Sequence, residues 1–240
     1  IKIHAQHGGF SAIVGHPGVG KSVIRAHLEQ LGKERDTVVV SFTQTMHTYQ
    51  PILRLLAESM QVTAAMKDLE KELVQAAYRH VQSQKTLYIV IDDAHLLEID
   101  ILRRLRLLFE RFPKRHNLVL LGHPELLHRL SMLCNEDIKS RISYSKQVLP
   151  LHDADLIGFI VAELAAVGLG VNTFDEAALQ VIARSVQGNL RLCRNLSYAS
   201  LVAACLDRQR IVTISHVNAA LTQPHWRSHE ALLKQQQVKP

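Results

Sequence analysis

The sequence predicts an α/β domain, with a parallel β-sheet flanked by helices, followed by a small all-helical domain. Short apolar runs alternate with helical patterns up to about residue 150. Continuous apolar strands separated by helices are typical of a parallel sheet that is covered on both faces. After Leu151 only helical patterns follow. We therefore expect domains at 1–150 and 151–223, with a polar C-terminal tail at 224–240.

The elements follow in chain order. The strands are expected at 10–14, 38–42, 87–91, 118–121 and 142–148. Helices are expected between them near 22–32, 51–60, 67–83, 99–112 and 124–133, and Pro51 suits the first turn of its helix. The helical domain is expected to contain helices at 153–167, 175–186, 190–206 and 214–221. Thr173 to Glu176 form a capping-box pattern, and Gly188 suits a helix C-terminus.

Composition describes a soluble globular protein, with 47% hydrophobic and 21% charged residues. No apolar run is long enough for a membrane span, and the first residues do not form a signal peptide. The odd number of cysteines (Cys134, Cys193, Cys205) indicates buried thiols in a reducing cytosol, so we expect a cytoplasmic protein. The net charge of +6 permits a polyanionic partner without requiring one.

The segment 15–22 fits the phosphate-loop pattern G-x-x-x-x-G-K-[ST] without a mismatch, between a predicted strand and a predicted helix. Its glycines let the backbone N–H groups point at a phosphate, and the helix N-terminus adds a positive dipole end. Lys21 is expected to reach the β- and γ-phosphates of ATP, and Ser22 to bind Mg²⁺. The alternative is a glycine-rich turn before a helix. The nucleotide-binding residues are predicted to be Gly15, His16, Pro17, Gly18, Val19, Gly20, Lys21, Ser22 and Val23.

Two acids, Asp92 and Asp93, follow the apolar strand 87–91 directly. A buried parallel strand that ends in carboxylates brings them to the edge of the sheet where ligands bind. Asp92 is the candidate Mg²⁺ ligand, and Asp93 is the candidate base for the attacking water. A strand that ends in a polar turn is the alternative, and the phosphate loop upstream makes it the weaker interpretation.

Five segments together resemble the AAA+ ATPases of the ExeA/GspA and TniB/TnsC kind: GHPGVGKS, IVIDDAH, LVLLGHPELLHRL, DIKSRISYSKQVLPL and GNLRLCRNLSYAS. This group includes secretion-associated ATPases and helper subunits of DNA transposition. The resemblance extends from about Gly9 to Leu221. It implies an AAA+ P-loop domain with a helical lid, ATP and Mg²⁺ as cofactors, ATP at the junction of the two domains, and a homo-oligomeric ring or filament on double-stranded DNA.

The resemblance also implies roles for individual residues. Lys21 and Ser22 match the Walker A lysine and hydroxyl, and Asp92 matches the Walker B aspartate. Asp93 stands where relatives usually have the catalytic glutamate, so its carboxylate is one methylene shorter and hydrolysis is expected to be slow. His123 falls at the sensor-1 position, where the alternative is a turn histidine before Pro124.

Two arginines resemble residues that complete AAA+ sites. Arg141 resembles the arginine finger, which acts on the nucleotide of a neighbouring subunit, and its planar charge suits a γ-phosphate. Arg191 resembles sensor 2, which reaches the nucleotide from the helical domain. For both residues an exposed surface arginine is the alternative.

Helix 99–112 is amphipathic, with Ile101, Leu102, Leu105, Leu108, Phe109 and Phe112 on one face and Arg103, Arg104, Arg106 and Arg111 on the other. The basic face is either a solvated surface or a contact for the DNA backbone. Arg103, Arg104 and Arg106 are the candidate DNA contacts. Weaker candidates follow the second strand, namely Thr43, Thr45, Thr48 and Tyr49.

These observations favour an ATP-dependent, DNA-binding helper of transposition that selects target DNA and recruits a transposase. The alternatives are a secretion- or envelope-associated ATPase of the ExeA type and an ATP-binding scaffold with little turnover. The substitution at Asp93 supports the scaffold.

Overall fold

A computed structural model describes residues 8–42 and 48–226 of the 240-residue chain. The chain divides into two compact units, the first ending at Leu149 and the second beginning at Pro150. Thr43 and Thr45, which were candidate DNA contacts, lie outside the described residues, as does the tail from residue 227 onward.

The first unit contains a five-stranded sheet in the order β2-β3-β4-β1-β5. Every neighbouring pair is parallel, so the predicted parallel sheet is confirmed. The strands are β1 (Gly9–Val14), β2 (Thr37–Phe42), β3 (Thr86–Ile91), β4 (His116–Gly122) and β5 (Ile142–Gln147). Each of the five predicted strands is present, with ends shifted by no more than two residues.

In the part of the first unit that the structure describes, the α-helices are α1 (Lys21–Leu31), α2 (Tyr49–Ser59), α3 (Leu69–Gln82), α4 (Ile99–Glu110), α5 (Pro124–Ser131) and α6 (Glu136–Lys139). Pro51 lies in the first turn of α2, as predicted. Helix α5 ends at Ser131, two residues before its predicted end. The four-residue helix α6 was not predicted, because one turn is too short to give a hydrophobic period.

The strands β1, β3 and β4 are buried on both faces, which explains why they are largely apolar runs, whereas the edge strand β5 is mostly exposed. In β3, Ile89 and Ile91 point into a core that also contains side chains of α2 to α6. The alternate residues Tyr88 and Val90 pack on the opposite face with Leu28 of α1. Because side chains of a strand alternate between the faces, both sets of positions must be apolar.

The second unit is helical, as predicted. It consists of α7 (Asp153–Ala166), α8 (Glu176–Val186), α9 (Leu190–Leu206) and α10 (Ile214–Leu221), packed around one apolar core. Trp226 is partly buried against that core, so the packed region continues past the predicted boundary at residue 223. The capping-box assignment was wrong in detail, because Asp175 rather than Thr173 caps α8 by accepting from the Ala178 N–H at 2.6 Å.

Exposure differs among the three thiols. Cys193 is buried, but Cys134 and Cys205 are exposed, so the expectation of three buried thiols was wrong. Cys134 lies in a short 3₁₀ turn and Cys205 lies near the end of α9, where neither is covered. Within the described residues, no helix has the length and apolar content needed to cross a membrane.

The connection after α8 generates a prediction about the second unit. Gly188 has φ +81°, and a Cβ there would lie 2.7 Å from the carbonyl oxygen of Leu151. The Gly188 carbonyl also accepts from the Leu151 N–H at 3.1 Å. We expect Gly188→Ala to lower the free energy of unfolding by about 2–4 kcal/mol, through backbone strain and overpacking, measured by thermal and denaturant unfolding.

Gly158 provides the matched control, because it lies in α7 and a Cβ there meets nothing within 4 Å. We expect Gly158→Ala to stabilise the unit slightly, by about 0.5–1 kcal/mol. Equal effects of the two substitutions would contradict the role assigned to the Gly188 turn.

Candidate functional site

The candidate site lies at one edge of the sheet, where the three strands β1, β3 and β4 end. Strand β4 lies between β1 and β3, so the carboxyl ends of all three strands are neighbours. The Gly15 N–H donates to the carbonyl oxygen of Gly122 at 3.0 Å, which joins the loop after β1 to the end of β4. A Cβ on Gly122 would lie 3.2 Å from the backbone nitrogen of His95, in the turn that follows β3. The three connections are therefore in close contact.

The predicted phosphate loop wraps around the ammonium group of Lys21. This group donates to the carbonyl oxygens of Gly15 at 2.6 Å and His16 at 3.0 Å, and Lys21 is only 8% exposed. Gly18 and Gly20 have φ of +82° and +108°, a backbone conformation that glycine adopts without strain. The loop thus holds the Lys21 ammonium group at the start of α1, against the carbonyl oxygens of Gly15 and His16.

The loop has the features of a phosphate-binding segment. Helix α1 begins at Lys21, directly after Gly20, so its amino-terminal dipole end lies in the loop. A Cβ on Gly15 would lie 2.7 Å from the Val19 side chain, so the loop has room only for glycine there. His16, Pro17, Ser22 and Val23 are exposed in and directly after the loop. These residues could hold the phosphates of ATP, and Ser22 could contribute a hydroxyl to Mg²⁺.

Asp92 and Asp93 lie at the end of β3. Asp92 accepts from the Asp93 N–H through Oδ1 at 2.9 Å and from Arg25 Nη1 through Oδ2 at 2.7 Å. Asp93 has φ +51°, which aspartate tolerates better than most residues, and it begins the 3₁₀ turn Ala94–Leu96. Carboxylate oxygens are ligands that Mg²⁺ prefers, so Asp92 fits the predicted metal role. Sequence reasoning missed Arg25, although its spacing from Lys21 puts both on one face of α1.

His123 stacks on His95, with ring centroids 3.9 Å apart and the rings nearly parallel at 9°. Burial lowers the pKa of His95, and the charges of His123 and Lys21 lower it further, while those of Asp93 and Glu125 raise it. The Nδ1 atom of His95 is buried and has no hydrogen-bond partner within the described ranges. Sequence reasoning gave His95 no role, because the stacked pair forms only when β3 and β4 lie side by side.

Arg129 and Asn135 fix the turn that carries His95. The Arg129 guanidinium donates to the carbonyl oxygens of His95 at 2.7 Å and Leu97 at 2.9 Å. The buried Asn135 amide donates to the Arg129 carbonyl at 2.7 Å. The two Arg129 bonds join residues more than thirty positions apart in sequence, and no local pattern indicates them.

Arg141 lies far from the phosphate loop of its own chain. It precedes β5, whose first residue pairs with Phe10 near the start of β1, whereas the loop follows the last residue of β1. The length of the strand, at about 3.3 Å per residue, separates the two by roughly 20 Å. The Arg141 side chain is 56% exposed, and its Nε lies 2.8 Å from Glu110 Oε1. The structure therefore does not bring Arg141 to Lys21 within one chain.

Arg191 is exposed in the first turn of α9, in the second unit. Asn189 caps this helix by accepting from the Leu192 N–H at 3.0 Å. The assignment of Arg191 to sensor 2 stays a prediction.

The basic face of α4 makes contacts within the first unit. Arg103 donates to Asp100 at 2.9 Å, and also to the Cys134 carbonyl and the Asn135 side chain. These bonds tie α4 to the segment before α6, which gives Arg103 a structural role that the sequence did not indicate. The DNA contact predicted for this residue stays a prediction.

The other arginines of this face are also engaged. Arg106 is 16% exposed and lies 2.9 Å from Glu110 and 3.6 Å from Asp137. The Arg104 guanidinium lies over the ring of the buried Tyr49, 3.8 Å from the ring centroid. Arg104 therefore lies beside Tyr49, another of the DNA candidates. Thr48, the residue before Tyr49, is exposed.

Comparison with known proteins identifies the family of this chain. Residues 3–130 match the family described as "AAA domain". General secretion pathway protein A of Aeromonas hydrophila is 27% identical over 205 residues, which is 82% of this chain and 37% of that protein. This chain therefore spans well under half the length of that relative.

Solved structures share the fold. Cdc6p from Pyrobaculum aerophilum aligns with a TM-score of 0.75 at 20% identity, over 97% of this chain and 66% of that one. A chain of Drosophila ORC bound to DNA aligns with a TM-score of 0.66 at 21% identity, over 97% of this chain and 59% of that one. The α/β P-loop fold with a C-terminal helical region is thus confirmed. The family match covers more than half of the chain and includes the phosphate loop and both acids, so this chain belongs to the AAA domain family and is an AAA+ ATPase.

Proposed function

We propose that this chain binds ATP and Mg²⁺ at the carboxyl edge of its sheet and hydrolyses ATP to drive a secretion-associated assembly. The observation that carries the proposal is the buried Lys21 ammonium, held by two loop carbonyls at the start of α1. This chain is similar to a secretion protein over 82% of its length. This similarity favours a role in secretion over one in transposition, which the sequence alone favoured.

In this proposal each residue of the site has a distinct role. Lys21 neutralises the β- and γ-phosphates, Ser22 and Asp92 hold Mg²⁺, and Asp93 activates the attacking water. His123, stacked on His95, contacts the γ-phosphate or the water. The metal supplies charge neutralisation when it is bound. The short side chain of Asp93 makes turnover slow, and an ATP-binding scaffold is the limiting case.

Lys21→Ala tests the nucleotide site. We expect the substitution to weaken ATP affinity at least tenfold, because it removes the cation that faces two phosphates. Isothermal titration calorimetry with ATP and Mg²⁺ measures the change. Lys33→Ala, at an exposed lysine that follows α1, removes the same charge outside the loop and should keep the affinity of the wild type. An unchanged affinity in Lys21→Ala would reject the assignment.

The proposal includes a homo-oligomer, in which Arg141 of one subunit completes the site of the next. The separation of Arg141 from its own loop supports this arrangement, as does its exposure. A cleft of about 400 Å³ opens beside it, and Phe109, Glu110 and His116 are among the residues that line the cleft.

Mixing two inactive variants tests the shared site. Arg141→Ala subunits have an intact loop, and Lys21→Ala subunits have an intact arginine. We expect the mixture to recover about a quarter of the wild-type rate of phosphate release, because mixed interfaces pair an intact loop with an intact arginine. Each variant alone, at the same total concentration, is the control. If the two variants assemble together without recovery, Arg141 does not act in trans.

Double-stranded DNA binding, with a transposase as partner, is the second candidate. The net charge of +6 supports it, and so does the fold shared with a protein solved bound to DNA. Arg104 is the best residue for a test, because Arg103 and Arg106 stabilise the unit through several internal contacts.

We expect Arg104→Ala to weaken binding to all duplex sequences alike and to reduce the slope of log affinity against log salt by about 1. Gel-shift titrations with ATP at two salt concentrations measure both quantities. Arg79→Ala, at an exposed arginine of α3, is the charge-matched control. Absence of DNA binding by the wild type at low salt would remove this candidate and leave the secretion function.

A further inference from the structure

Arg25 lies between two carboxylates beside the candidate metal site. Its Nη1 atom is 2.7 Å from Asp92 Oδ2, and its Nε atom is 3.5 Å from Oε1 of Glu29, one turn further along α1. The Asp92 pair is well shielded, with exposed side-chain fractions of 24% for Arg25 and 14% for Asp92. The Arg25 side chain is thus in direct contact with the acid that is expected to bind Mg²⁺.

Both oxygens of Asp92 are engaged in this arrangement. Oδ1 accepts from the Asp93 backbone, and Oδ2 accepts from Arg25. Each oxygen keeps a second lone pair, but a guanidinium 2.7 Å from the carboxylate and a divalent cation bound to it repel one another. The metal and Arg25 therefore compete for the same carboxylate.

We propose that Arg25 is a displaceable counter-ion of Asp92, which Mg²⁺ must move before the metal can bind. Glu29 is the acceptor for the displaced side chain, because it lies at i,i+4 on the same helix face. A change in the Arg25 rotamer then leaves its charge paired with Glu29 alone. Arg25 is a positioning residue in this scheme and sets the Mg²⁺ concentration at which nucleotide binds tightly. The inference rests on the proposed ATP site.

The test compares nucleotide affinity with and without metal, which does not depend on turnover. Calorimetry measures binding of a non-hydrolysable ATP analogue over a series of Mg²⁺ concentrations and in EDTA. In Arg25→Gln we expect the Mg²⁺ midpoint to fall about three- to tenfold, since one competing charge is gone. Affinity in EDTA should fall, because Asp92 then faces the phosphates without its counter-ion. The ratio of the affinity with Mg²⁺ to the affinity in EDTA therefore rises.

Glu29→Gln is the second variant and should move the midpoint in the opposite direction, upward by about two- to threefold, because Arg25 loses its alternative acceptor. Arg35→Gln, at an exposed arginine after α1, is the matched control and should leave the midpoint unchanged. If Arg25→Gln does not fold, the Glu29 variant alone decides.

An Arg25→Gln variant with the wild-type affinity ratio would overturn the inference, since a purely structural role changes both affinities alike. The same holds for a Glu29→Gln variant with an unchanged midpoint. Tight nucleotide binding by the wild type without any Mg²⁺ dependence would also overturn it, while the proposed ATP site would stand. Absence of nucleotide binding by the wild type would instead reject the proposed function itself.

Discussion

The candidate site depends on one constraint, namely that parallel strands buried on both faces all end at the same edge of the sheet. Strand β4 separates β1 from β3, so the phosphate loop, the paired acids and His123 arrive at neighbouring positions. The sheet interior is apolar, and polar side chains can be placed only where the strands end. The chemistry of this domain is therefore concentrated in three short connections.

The charged side chains at that edge, Lys21 and Asp92, are stabilised by hydrogen-bond and ion-pair partners close to them. Burying an unpaired ammonium or carboxylate is costly, so each such group needs a partner in the fold. Lys21 is surrounded by loop carbonyls, and Asp92 is paired with Arg25 and with a backbone N–H. These partners are the groups that phosphate and metal would replace or reorganise. The same contacts thus stabilise the fold and prepare the site for an anionic ligand.

The arginines of α4 show how a basic face can serve the fold. Arg103 reaches the segment before α6, where Asn135 in turn holds the Arg129 carbonyl. Arg129 fixes the turn that carries His95. This chain of hydrogen bonds runs from α4 to the edge of the candidate site within the first unit. A solvated surface and a DNA contact were the two interpretations of the basic face, and for Arg103 and Arg106 the observed partners are intramolecular.

The sequence by itself determined the parallel sheet, the phosphate loop, the acids after β3 and the helical second unit, because each depends on local periodicity or on a contiguous motif. It did not determine the Arg25–Asp92 pair, the His95–His123 stack, the partners of the α4 arginines or the exposure of Cys134. The Arg25–Asp92 pair, the His95–His123 stack and the bonds from Arg103 to Cys134 and Asn135 join residues that are distant in the chain, and they exist only once the fold makes their elements neighbours. Tertiary structure decided them because hydrogen bonds and ring contacts depend on distance in space, which a linear pattern does not encode.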